Sequence, residues 1–338
     1  ELIDNGIAAH KIGEVIKGNK LEIKNQENEF SFDLEKYRDY WFYTSTLLDR
    51  KQTSNNLAEV RFKNYKNQPL KFKFPKNFNG SLIKLTSGKK PKAAILREKG
   101  SNSERELANA LHIAGFDVKD IHMTDLISGK ETLQDIKFLG AVGGFSNSDV
   151  LGSAKGWAGS FKYNDSAKNS LENFFSRKDT LSIGICNGCQ LFMELDLIYP
   201  RHENHGKMSF NDSRKHESNF TSVKIKTNNS IMLGSLEQLN LGVWISHGEG
   251  KFKLPYPKEN YNIVAEYGYP DYPSNPNGSD YNTAMLSSDD GRHLVTMPHI
   301  ERSIFKWNWA YYVDDRDDIL SPWVLAFLNA KNWILENS

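Results

Sequence analysis

Cysteine is nearly absent: the 338 residues hold two, Cys186 and Cys189. So few exclude a secreted disulfide framework, and in a reducing compartment such a pair is catalytic, metal-binding or inert. No apolar run approaches the roughly 18 residues of a membrane helix, and the N-terminus lacks the basic-then-apolar layout of a signal peptide. The expectation is a cytoplasmic protein with no membrane partner. Nor does one sign of charge prevail. The 43 Lys plus Arg stand against 42 Asp plus Glu, leaving no overall field to steer the chain toward nucleic acid, so a small molecule is the expected partner. Internal repeats and low-complexity tracts are also missing. The first residue is Glu rather than Met, which suggests a processed chain or a fragment with something upstream.

What is present changes character along the chain. Residues 1–50 read as a small α+β piece. Ile12-Gly-Glu-Val-Ile and Leu21-Glu-Ile-Lys predict short strands around the Lys17-Gly-Asn-Lys turn, and Phe32 to Leu48 carries apolar residues at helical spacing. Between 51 and 92 stand eleven Lys or Arg against one acid, Glu59. Leu70-Lys-Phe-Lys-Phe in that stretch interleaves cations with aromatics as single-strand nucleic-acid binders do. The plainer reading, which we prefer, is a strand or tether with Phe72 and Phe74 inward and Lys71 and Lys73 in water. Pro69, Pro75, Gly80, Gly88 and Pro91 punctuate the segment, so residues 51–91 are expected to be a basic linker.

From residue 92 to 338 the rhythm becomes strand, helix, strand. Ala93-Ala-Ile-Leu, Phe116-Asp-Val-Lys-Asp-Ile, Phe138-Leu-Gly-Ala-Val and Leu181-Ser-Ile-Gly-Ile predict strands, and Ser103 to Ala114 predicts a helix stopped by Gly115. Such alternation means an α/β fold with a doubly wound, mostly parallel sheet. The last third adds β segments, including a hairpin around Asp289-Asp290-Gly291, and ends in a helix over Ser321 to Leu335. Ligands of doubly wound sheets bind beyond the carboxyl ends of strands, where both Gly143-Gly144 and Cys186 fall.

A thiolate nucleophile must project from a sharp strand-to-helix turn, so that following backbone N–H groups can hold a developing oxyanion. Small residues two before and two after it let that turn form. Gly184 and Gly188 flank Cys186 in this way; Cys189 has Asn187 and Leu191 at the same offsets and reads as a buried helix residue. A helix N-terminus and a His would activate the thiol. Two of the nine His stand in informative contexts: His247 in Ser246-His-Gly-Glu-Gly, and His299 in Pro298-His-Ile-Glu. His299 is the stronger base candidate, because Glu301 would share its face of an extended segment and orient the ring. Gly143-Gly144 could supply a second oxyanion amide. A zinc site wants two Cys-x-x-Cys pairs rather than one, and a thioredoxin-like redox pair would open the sheet domain rather than follow several strands.

Gly184-Ile-Cys-Asn-Gly-Cys-Gln190 with Pro298-His-Ile-Glu-Arg302 resembles the class I (triad) glutamine amidotransferases. Val142-Gly-Gly-Phe-Ser-Asn-Ser-Asp-Val-Leu-Gly152, Ser246-His-Gly-Glu-Gly250, Asn275-Pro-Asn-Gly278 and Asp290-Gly-Arg292 narrow the likeness to the C-terminal glutaminase domain of large phosphoribosylformylglycinamidine synthases. Tyr40-Trp-Phe-Tyr-Thr-Ser-Thr-Leu-Leu-Asp-Arg50 is similar to the end of their ATP-dependent synthetase region, whose remnant residues 1–50 would be. The resemblance implies Cys186 as nucleophile, His299 as general base and acid, and Glu301 as its orienting carboxylate. It implies an oxyanion hole from the amides of Gly144 and Asn187, with Gly143, Phe145, Ser146, Gln190, His247, Gly248 and Glu249 around the glutamine head group. The partners implied are glutamine and the synthetase region of the same polypeptide. No cofactor is expected in this chain, since no phosphate loop or magnesium-binding carboxylate cluster is visible; ATP and magnesium would belong to the synthetase. Asn147-Ser148 stands where the family more often has Tyr-Gly, and Ile300 where Pro is usual. Other readings are another triad amidotransferase, a cysteine hydrolase of γ-glutamyl peptides, and a degenerate domain kept as a structural partner.

Overall fold

The computed structural model describes residues 2–84, 88–313 and 315–337, and the chain divides into two compact units after Lys51. In the first, β1 (Lys20–Asn25) and β2 (Asn28–Asp33) form an antiparallel hairpin, followed at once by α1 (Leu34–Gln52). The strand expected over 12–16 is not formed. The two-residue Gln26-Glu27 turn offers Leu21-Glu-Ile-Lys a nearer partner in Asn28–Asp33, at a smaller loop-closure cost. Ile12, Val15, Trp41 and Leu48 all lie exposed.

The second unit begins well before residue 92. Here α2 (Leu57–Asn64) is pinned by Arg61, whose guanidinium donates to the buried Glu217 carboxylate at 2.8 Å. Lys73 pairs with Asn240, and the rings of Phe72 and Phe74 meet Trp309 at 5.1 and 5.7 Å while Lys71 and Lys73 point to water. Residues 52–84 are therefore packed against this unit rather than strung as a free linker, because alternating aromatics bury one face of an extended run; residues 85–87 of the expected linker lie outside the described residues. Trp309 also touches Phe220 and Tyr312 and donates to the Ser303 carbonyl. Trp309→Ala is expected to cost about 3–5 kcal/mol and to open residues 66–84 to proteolysis. Urea denaturation and a timed digest measure both.

Next come β3 (Lys92–Arg97), α3 (Glu104–Ala114), β4 (Asp117–His122), α4 (Met123–Ile127), β5 (Phe138–Ala141), α5 (Lys155–Lys162), α6 (Asp165–Ser176), β6 (Leu181–Ile185) and α7 (Asn187–Glu194). The remainder is β7 (Lys207–Ser209), β8 (Glu217–Ile225), β9 (Asn240–His247), β10 (Lys251–Lys253), β11 (Asn262–Tyr267), β12 (Thr283–Ser287), β13 (His293–Thr296) and α8 (Val324–Asn337). A nine-stranded sheet runs β4-β3-β5-β6-β13-β12-β11-β8-β9. Its first five strands are mutually parallel, and from β13 onward each neighbour is antiparallel. The sheet is thus mixed, the parallel part carrying the doubly wound α/β topology. Both β5 and β6 are buried at every residue, as strands covered on two faces must be. Helix α3 packs with α8, while α4, α5, α6 and α7 form a second group. The hairpin expected at Asp289-Asp290-Gly291 joins β12 to β13, with Gly291 at φ 75°.

That arrangement sets three central carboxyl ends side by side. β5 runs into Gly143-Gly144, β6 into Cys186, and β13 through Met297-Pro298 into His299.

Candidate active site

The turn at Cys186 is strained, with φ 51° and ψ −102°. An L-residue there costs on the order of 1–3 kcal/mol and persists only where the surroundings over-determine it. Here they do. The Cys186 amide donates to the Thr296 carbonyl at 2.8 Å, and its own carbonyl accepts from Gln190 N at 2.9 Å. A Cβ on Gly188 would lie 2.1 Å from the Ala141 carbonyl oxygen, and one on Gly184 2.6 Å from that of Gly188. Both glycines are needed for helix α7 to press its first turn against β5 and β6. The thiol reaches the Ser246 carbonyl at 3.5 Å. Cys189 is wholly buried one turn on, and burial pushes its thiol well above the ordinary range, so it stays protonated.

His299 is fixed by its backbone, its amide donating to Trp244 at 2.8 Å and its carbonyl accepting from Ser303 Oγ. Its Nδ1 lies 2.6 Å from Glu301 Oε1, both side chains buried. The contact is made at the entry to a short 3₁₀ turn, Glu301–Ser303, and not along an extended run: Ile300, where the family prefers Pro, already takes φ −69° and ψ −31°. Burial alone would push His299 down; the Glu301 carboxylate and the Cys186 sulfur, to which it is bonded, overcome this and raise it to about 10. His299 therefore rests as an imidazolium, a cation held beside the Cys186 sulfur.

Gly143 closes the site from the β5 side. A Cβ there would come within 2.8 Å of the His299 ring. Among the four amides of 143–146, that of Gly143 donates to Ser103 Oγ, that of Phe145 to the Gly100 carbonyl and that of Ser146 to Asn187 Oδ1. This leaves the Gly144 amide without an acceptor among the described residues. Gly144 sits at φ 122°, with the Ser101-Asn102 backbone where a side chain would be. The Asn187 amide is the first of α7, where no preceding helical carbonyl exists to accept it. The two amides thus come from the neighbouring turns at the ends of β5 and β6, the second of which carries Cys186.

The remaining expected residues form the walls. Gln190 is buried, its Nε2 donating to the Glu249 carbonyl and its Oε1 accepting from Asn187 Nδ2. Glu249 Oε1 accepts from the Ser153 amide. The His247 ring is bonded to Asn211, and Gly250 packs on it. Burial, with the nearby His299 and His216 charges, pushes His247 down to about 3, so it is a neutral wall group. Gly248 accepts from the Asn211 amide, and Phe145 lies half open beside His216. Asn147 and Ser148, the departures from the family pattern, keep φ 52° and 57°. Ser103, Asn211 and Ser246 escaped expectation as individual residues; only Ser246 lay in a quoted motif. Among the described residues no cluster of three or more His, Cys, Asp or Glu is placed to hold a metal, and no helix is long and apolar enough to cross a membrane. A cavity of about 650 Å³, lined by Trp244, Ser246, His299, Glu301, Phe305 and Trp307 among others, opens against the His–Glu pair.

Comparison with known proteins bears on the family and the fold. Residues 90–334 match the family model described as a CobB/CobQ-like glutamine amidotransferase domain. The probable phosphoribosylformylglycinamidine synthase of Caenorhabditis elegans is 42% identical over 275 residues, 72% of this chain and 21% of that one. The Homo sapiens phosphoribosylformylglycinamidine synthase is 38% identical over 336 residues, 89% of this chain and 25% of that one. The chain thus spans about a quarter of the length of the curated relatives it matches. The Thermotoga maritima PurLQS structure shares the fold, with a TM-score of 0.56 at 22% identity over 71% of this chain and 98% of its own. A matched domain of that extent, with the cysteine elbow and its His–Glu pair inside it, means that the chain belongs to the CobB/CobQ-like glutamine amidotransferase family.

Proposed function

We propose that this chain is the glutaminase part of a phosphoribosylformylglycinamidine synthase, the activity its long relatives are named for. The observation that carries the reading is the buried set of Cys186 beside the bonded His299–Glu301 pair, with the Gly144 amide lacking an acceptor among the described residues. The Cys186 thiolate attacks the side-chain amide carbon of glutamine, and the Gly144 and Asn187 amides hold the oxyanion. His299 gives its proton to the departing nitrogen, releasing ammonia and leaving a γ-glutamyl thioester. The imidazole, now neutral, takes a proton from water; the hydroxide attacks the thioester, and glutamate leaves with the thiolate restored.

In this reading the ammonia is passed to an ATP-dependent synthetase region, which converts formylglycinamide ribonucleotide to formylglycinamidine ribonucleotide in de novo purine biosynthesis. ATP and magnesium are bound there. Residues 1–50 belong to that synthetase region, which is supported by how much of their apolar surface lies open. The free thiol suits a reducing compartment, the cytoplasm in our reading.

A diazoketone analogue of glutamine, followed by peptide mapping, is expected to label Cys186 alone, and glutamine is expected to release ammonia. Label on Cys189 or none would reject the assignment. Release from γ-glutamyl peptides but not from free glutamine would indicate a peptide hydrolase instead.

A further inference from the structure

We infer that Asn187 and Gln190 are positioning residues whose paired carboxamides clasp both loops of the glutamine site to the elbow helix. The inference rests on the glutaminase reading for its catalytic consequence, though not for its geometry. Both side chains are buried, at 0 and 4% exposure. Asn187 Oδ1 accepts from the Ser146 amide at 3.1 Å, Asn187 Nδ2 donates to Gln190 Oε1 at 2.9 Å, and Gln190 Nε2 donates to the Glu249 carbonyl at 2.8 Å.

The chain of bonds has a fixed polarity. One end is a backbone N–H and the other a backbone C=O, so Asn187 must present oxygen to Ser146 and Gln190 must present nitrogen to Glu249. Between them the two amides can meet only as donor to acceptor. Flipping either one sets like against like in a buried site, where an unpaired polar group costs most.

What the clasp holds is the catalytic geometry. Ser146 is two residues from the Gly144 amide, and Glu249 follows Ser246, whose carbonyl meets the thiol at 3.5 Å. Asn211 grips the 248–250 loop through Gly248 and Gly250; Gln190 supplies the grip from the elbow helix. Releasing it lets both loops drift from the nucleophile, and displacement near 1 Å can cost about 100-fold in rate.

The test compares Gln190→Glu and Gln190→Met. Both are expected to lower kcat for ammonia release by about 10- to 100-fold, with KM changed less than about threefold and Cys186 alkylation by iodoacetamide unchanged. The Gln190→Glu rate, relative to Gln190→Met at the same pH, should rise as pH falls from 8 to 5.5. A protonated carboxyl can again accept from Asn187 and donate to Glu249. Amide hydrogen exchange in 143–149 and 248–250 should quicken in both variants. A raised KM with kcat retained would make Gln190 a glutamine contact and overturn the clasp, as would unaltered exchange or a pH-independent ratio. A wild-type chain that releases no ammonia defeats the glutaminase reading instead, and exchange then decides the clasp on its own.

Discussion

Cys186→Ala will abolish ammonia release from glutamine, a loss of roughly 10⁴-fold or more as expected when a nucleophile acting as part of a unit is removed, while Cys189→Ala keeps it within a few-fold. The two thiols lie three residues apart and both are buried, so the contrast tests placement rather than exposure. Cys186 stands at the strand-to-helix turn, bonded to His299. Cys189 lies wholly buried inside α7, and burial holds its thiol protonated. Alanine at 186 inherits the same backbone conformation, so its thermal midpoint should stay near the wild-type value. Cys189→Ala deletes a packed sulfur and should cost roughly 1 kcal/mol. Ammonia release measured beside the thermal midpoint separates the two effects. Loss of activity in Cys189→Ala alone would reverse the assignment.

The parts legible in the sequence were those written in local pattern. β3 carries the apolar run Ala93–Leu96, β5 leads through Val142 to Gly143 and the buried β6 runs straight into Cys186, and the doubly wound topology follows from their alternation with helices. The elbow shows itself because steric crowding admits only glycine at 184 and 188. His299 and Glu301 are adjacent enough for a short motif to carry them, although the turn between them was read as extended. Illegible were contacts that depend on closure of the whole chain. Phe72 and Phe74 pack on Trp309 across more than two hundred residues of sequence, which no window could pair, and so a packed segment read as a linker. Ser103 and Asn211 are single polar residues whose bonds to Gly143 and His247 exist only once β5, α3 and β9 are in place. Gln190 was visible as a motif position. That its amide turns to Glu249 was not.

Glu301→Gln should uncouple the pair, and His247 indicates how far. Both histidines are buried, and His247 meets the neutral Asn211 Oδ1 where His299 meets a carboxylate oxygen. The first is pushed down to about 3 and the second up to about 10. Burial acts the same way on each, so the gap belongs to the Glu301 charge and the sulfur, which raise His299, and to the His299 and His216 charges, which lower His247 further. The isosteric amide retains the bond but not the charge. His299 should then be neutral at pH 7, and Cys186 should lose its imidazolium partner. Alkylation of Cys186 by iodoacetamide at pH 7 is expected to fall by about an order of magnitude or more. Ammonia release should fall about 10²- to 10⁴-fold, the range of general acid–base catalysis. Stability carries the same signature. The folded chain keeps a proton on His299 that an unfolded chain releases near pH 6.5, so this contribution is full below about 6.5 and is lost as pH rises through about 10. Denaturation midpoints of the wild type should decline across that window, and those of Glu301→Gln should decline less. An alkylation rate that Glu301→Gln leaves unchanged would mean that the carboxylate orients the ring without charging it.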